Sequence, residues 1–180
     1  MLYLYFISSA LSYEPVTDIK FNSTASFEYN FGQSYTLKYK IFRKSNIYSN
    51  DFLSRSVALA TSASISKIMS IDRNMVQCKQ DEALEIYEIS VSELNDDNRF
   101  KNIAKFNDQV WGYFDPMVDE QNINIILVTP HSKYENFQIL THEIAHHWYS
   151  VYCVGNYSDI STEDFALQIQ FSLEHLNEYN

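Results

Sequence analysis

The chain has 180 residues, 46 % of them hydrophobic, which suits one folded domain with a real core and excludes a disordered tail. Its net charge is −10 with a pI near 4.8, so the surface offers no electrostatic help toward DNA, RNA or anionic membranes, and no nucleic-acid partner is expected. Three glycines, three prolines and two cysteines leave no room for a loop-rich or disulfide-dense scaffold.

The chain opens on an apolar stretch, residues 1–11, that reads as a strand or as a signal-like segment lacking the positive start of a secretory leader. Phe27, Tyr29 and Phe31 alternate with polar residues, as do Tyr35, Leu37, Tyr39 and Ile41; Gly32 to Ser34 between them predicts the turn of a hairpin. Asp51 caps a predicted helix over 52–71, with Val57, Ala60, Ile65 and Ile68 on its apolar face and a high serine content for a helix. Residues 84–91 have strand composition.

A second helix is predicted over 97–114 from the stripe Phe100, Ile103, Val110 and Phe114, ended by Asp115-Pro116. Residues 123–129 form the clearest strand, β-branched and stopped by Pro130. A third helix covers 135–154 with Gly155 as its terminating residue, and the last runs over 162–178 with Ser161 as N-cap. Strands and helices in this order give an α+β fold in a single domain, 1–180, with no linker or repeat. The longest apolar run, Ile125 to Val128, is far too short for a transmembrane segment, and a soluble, cytoplasmic protein is favoured over a secreted one. Whether Cys78 and Cys153 pair is open.

The third helix carries the chemistry. Thr141-His142-Glu143-Ile144-Ala145-His146-His147-Trp148-Tyr149 contains His-Glu-x-x-His. At about 100° per residue, positions 142 and 146 lie roughly 40° apart on one helix face, one turn from each other, so two imidazoles can reach one zinc ion. Glu143 is offset toward a general base acting on a water that the metal brings to a pKa near 7. Phe137, Leu140, Ile144, Trp148 and Val151 form the apolar stripe opposite. A catalytic zinc needs a third protein ligand, and Ser161-Thr162-Glu163-Asp164-Phe165-Ala166 follows downstream.

His-Glu-Ile-Ala-His-His-Trp-Tyr is similar to the His-Glu-x-Ala-His-x-Trp-Phe motif of aminopeptidase-type gluzincins. Glu163-Asp164-Phe165-Ala166 resembles that family's Glu-Gly-Phe-Ala, whose Glu is the third ligand. The likeness spans residues 140–170. It implies a small zincin-like domain, one Zn2+ per chain held by His142, His146 and Glu163, and hydrolysis of a peptide or protein substrate. The spacer between His146 and Glu163 is shorter than is usual in that family, which keeps Asp164 and Asp159 as alternative ligands. The family's Gly-x-Met-Glu-Asn motif is absent, so aminopeptidase specificity is not carried over. Tyr157 is a candidate oxyanion donor, and His147 a cleft-rim, supporting or surface residue; His131 and His175 read as a loop and a surface histidine. The competing readings are a metal-binding scaffold without catalysis and a hydrolase of another amide or ester; a retained Glu143 argues against the scaffold, since a structural zinc site needs no base.

Overall fold

The structure, a computed structural model, describes residues 4–7, 26–30, 34–37, 39–43, 50–78, 84–88, 112–115, 124–128 and 133–176. Two sheets and three helices organise them. In the first sheet β1 (Leu4–Ile7), β2 (Ser26–Asn30) and β3 (Ser34–Leu37) pair antiparallel in that order, with Asn30 opposite Ser34 where the sequence places its hairpin turn. The predicted second arm does not continue as one strand. β3 stops at Leu37, and Tyr39–Arg43 forms β4 in the other sheet.

The second sheet has the order β4-β5-β7-β6, with β5 at Leu84–Glu88, β6 at Gly112–Asp115 and β7 at Asn124–Val128. β4, β5 and β7 run parallel, and β6 lies antiparallel to β7. One sequence expectation changes here. Residues 112–114, predicted as the end of a helix over 97–114, are strand; the rest of that segment lies outside the described residues. Pairing with β7 outweighs the helical stripe here, with Phe114 opposite Ile126. The strand read over 123–129 is β7, which lies between β5 and β6, so among the described residues β6 is the outer strand on that side.

α1 spans Asn50–Ile71, so Asp51 lies inside its first turn. Its serine content serves packing: Ser56, Thr61 and Ser64 are buried with Val57, Ala60, Ile65 and Ile68, and small side chains let the neighbouring helix approach closely. Ser56 Oγ donates to the Phe52 carbonyl within the helix, and Thr61 Oγ1 accepts from Trp148 Nε1 across the core at 3.2 Å. That neighbour is α2, Lys133–Val151, which packs on α1 and on the last helix and against β6 and β7. All five residues of its apolar stripe are buried, Ile144 and Trp148 completely.

α2 ends earlier than expected. Gly155 is not its terminating residue; Cys153 takes the left-handed conformation (φ 49°, ψ 44°), and Val154–Asn156 forms a 3-10 turn. The Cys78 N–H donates to the Val151 carbonyl at 3.0 Å, and Cys78 is disulfide-bonded to Cys153, so the segment leaving α1 seals the end of α2. The last helix, α3, Thr162–Leu173, starts at Ser161, whose Oγ accepts from the Asp164 N–H, and passes into a 3-10 turn, Glu174–Leu176. α2 and α3 run antiparallel: Gln138 meets Glu174, His142 meets Gln170, and His146 meets Thr162. Residues 1–3, 8–11 and His131 lie outside the described residues. Among the described residues, no helix is long and apolar enough to cross a membrane.

Candidate metal centre

The antiparallel pairing of α2 and α3 brings the first turn of α3 beside the second histidine of α2. His142 Nε2 and His146 Nε2 lie 3.0 Å apart. Glu163 spans both, with Oε1 3.4 Å from His142 Nε2 and Oε2 3.5 Å from His146 Nε2. The structure therefore gathers His142, His146 and Glu163 into one cluster, with one ligand atom of each within 4.8 Å of the others.

The two imidazoles are oriented from behind. His142 Nδ1 lies 3.1 Å from Gln170 Oε1, so it carries the proton and leaves Nε2 as a bare lone pair facing the cluster. His146 Nδ1 lies 2.8 Å from Thr162 Oγ1, a hydroxyl that is able to accept from it and so is compatible with the same tautomer. Two ring nitrogens and a carboxylate then lie close together, an arrangement that could hold a cation. Ligands of one zinc ion at 2.0–2.1 Å and tetrahedral angles stand roughly 3.3–3.4 Å apart; here the two imidazole nitrogens are 3.0 Å apart, and each Glu163 oxygen lies 3.4 or 3.5 Å from a different one of them. Sequence reasoning missed Gln170 and Thr162; the only available signal was that Gln170 lies two turns after Glu163 on the same helix face and that Thr162 precedes it in the first turn.

The alternatives to Glu163 point elsewhere. The Asp164 carboxylate accepts from Ser161 Oγ at 2.7 Å, completing the N-cap of α3. Asp159 is exposed in the connecting loop. The shortened spacer is absorbed by the 3-10 turn and by the N-cap, so the first turn of α3 still presents Glu163.

Glu143 stands one residue round the helix and is buried. Burial first, and the Glu163 carboxylate second, push its carboxyl up to about 8. A divalent cation beside it favours the ionised form and acts in the opposite direction. His146 is brought down to about 4, by burial first and the neighbouring His142 second, against the pull of Glu163. It is thus neutral at pH 7, the form in which imidazole ligates a metal.

Gly112 of β6 makes room for Glu143. A Cβ at that position would stand 2.6 Å from Glu143 Oε1 and 2.6 Å from Ile139 Cγ2. This residue was also missed, although one of only three glycines in the chain, inside a strand, marks a close approach of backbone to another group.

The remaining candidates separate. His147 is fully buried, edge-on to Phe114 at 5.9 Å and to Trp148 at 5.1 Å between ring centroids. Its expected place at the rim or surface is therefore corrected: a further 100° round the helix from His146 turns it under β6. Tyr157 is 49 % exposed in the loop, outside the cluster. His175 is exposed in the last 3-10 turn. No protein-family model, curated protein or solved structure matches this chain.

Proposed function

We propose that this chain is a zinc-dependent peptidase, a small α+β domain of zincin type in which Glu143 is the general base. The observation that carries this reading is the convergence of His142 Nε2, His146 Nε2 and the Glu163 carboxylate beside a buried carboxyl. A structural site has no use for that carboxyl.

A zinc ion held by those three side chains would supply a Lewis acid and bring the pKa of a water near Glu143 toward 7. Glu143 in its ionised form takes the proton of that water and returns it to the leaving amine. Gln170 and Thr162 hold the imidazoles in the ligating tautomer. The open side of β6, the outer strand of its sheet among the described residues, offers backbone groups to an extended peptide by strand addition. The Cys78–Cys153 disulfide favours an oxidising compartment over the cytoplasm that the sequence alone suggested.

The test is incubation of zinc-loaded protein, of measured stoichiometry, with a mixed peptide library. Cleavage that disappears with chelator and in Glu143→Gln is the expected result. Fully loaded protein that cleaves no peptide refutes the reading, and turnover of amide or ester model substrates alone would assign it to a non-peptide hydrolase.

A further inference from the structure

Beyond the metal cluster, an open cavity of about 530 Å3 lies against the C-terminal half of α2. Phe114 of β6 and Tyr149 of α2 line it, together with His146, Thr162, and Gly155 and Asn156 of the 3-10 turn. His146 and Thr162 belong to the metal cluster as well, so cavity and cluster share a wall. Its size falls within the roughly 300–1,000 Å3 usual for pockets that hold a small ligand or a large side chain.

The lining dictates what fits. Among the described residues it contains no Asp, Glu, Lys or Arg, so none of them offers a charged partner to a charged group entering from water. The aromatic wall is fixed in advance. Tyr149 Oη donates to the Ile160 carbonyl at 2.8 Å, and its ring sits edge-on to Phe165 at 5.6 Å between centroids. Gly155 keeps that arrangement possible, since a Cβ there would stand 2.8 Å from Tyr149 Oη. A preformed aromatic surface adjoining a hydrolytic centre is suited to a flat, apolar group, because little ordering cost is left to meet on binding.

We infer that this cavity is a side-chain pocket for the substrate and that it selects a large neutral residue, aromatic above all, beside the bond to be cut. The identity of the occupant as part of a peptide rests on the peptidase reading; the selectivity of the cavity does not. Both are separated by measuring binding as well as cleavage.

The probes are N-acetyl-phenylalanine methylamide, N-acetyl-alanine methylamide and N-acetyl-lysine methylamide, titrated by ligand-observed NMR against the zinc-loaded and the zinc-free chain. The phenylalanine probe should bind at least about tenfold more tightly than either of the others. Asn156 is exposed, and Asn156→Trp, which fills the cavity from its rim, should abolish that preference while zinc stoichiometry is unchanged. Equal binding of the three probes overturns the inference, as does a preference that survives in Asn156→Trp. If the preference holds and the peptide library is left intact, the pocket stands and the peptidase reading falls.

Discussion

Gly112→Ala tests whether the placement of Glu143 depends on one missing methyl group. The added Cβ would lie 2.6 Å from both Glu143 Oε1 and Ile139 Cγ2, where ordinary contact begins at 3.4 Å, so its neighbours must yield by about 0.8 Å. Overpacking of this kind costs roughly 1–3 kcal/mol. At about 2–4 °C per kcal/mol for a domain of this size, melting should fall by roughly 2–12 °C. The end of Glu143 is the easiest neighbour to displace, and a misplacement near 1 Å costs a catalytic group on the order of a hundredfold. His142, His146 and Glu163 do not touch the added atom, so zinc stoichiometry should persist. The assays are thermal melting, metal analysis and kcat/KM on the same preparation. A variant that melts with wild type and turns over normally would refute the proximity of β6 to the base. Loss of zinc would mean that β6 supports the ligands instead.

Glu163→Ala should lower zinc affinity sharply in a chelator competition while Asp164→Asn leaves it unchanged; the reverse pattern would transfer the ligand role to Asp164. Gln170→Leu and Thr162→Val, which remove the partners of the two Nδ1 atoms, should each weaken zinc binding about 10–100-fold with the fold intact, and unaltered affinity would deny them any part in orienting the imidazoles. In the chelated protein a Glu143 carboxyl raised from 4.5 to about 8 binds its proton more tightly folded than unfolded, so its contribution is lost as pH rises through that window. His146, lowered from 6.5 to about 4, acts oppositely, its contribution being lost as pH falls from 6.5 toward 4. The melting temperature of the chelated chain should therefore decline between pH 6.5 and 8, and Glu143→Gln should flatten that decline; an equal slope in the variant would remove Glu143 as its source.

Much of the helical layer was legible because its signals are local. The i, i+3, i+4 spacing in α1 and α2 marks the faces that are buried, and Ser161 announces the start of α3. The His-Glu-x-x-His spacing identifies one helix face by the arithmetic of the helical turn alone. Other features depend on contacts distant in sequence. Phe114 falls on an apolar stripe compatible with a helix, and only pairing with β7 makes residues 112–114 strand. The end of α2 is set by Cys78, 75 residues away from its disulfide partner, rather than by the nearby glycine. His147 resembles its neighbour in every local respect, yet one residue step sends it beneath Phe114 instead of toward the cluster. Gln170 and Thr162 have no motif of their own, since what they do is defined by the nitrogen each one meets.

The Cys78–Cys153 bond makes the middle of the chain a covalent ring. β5, β6, β7 and α2 lie inside it, together with both histidines and Glu143, whereas Glu163 sits on the tail beyond. In the chain-entropy account, closing a loop of this length restricts the unfolded chain by about 4.5 kcal/mol. The ring also divides the molecule by its response to a broken backbone. A nick anywhere between residues 78 and 153 leaves the pieces tethered and the histidines on one molecule. A nick in the largely exposed stretch 155–159 separates Glu163 from His142 and His146. Those few residues are therefore the place where a single proteolytic cut would disarm the site.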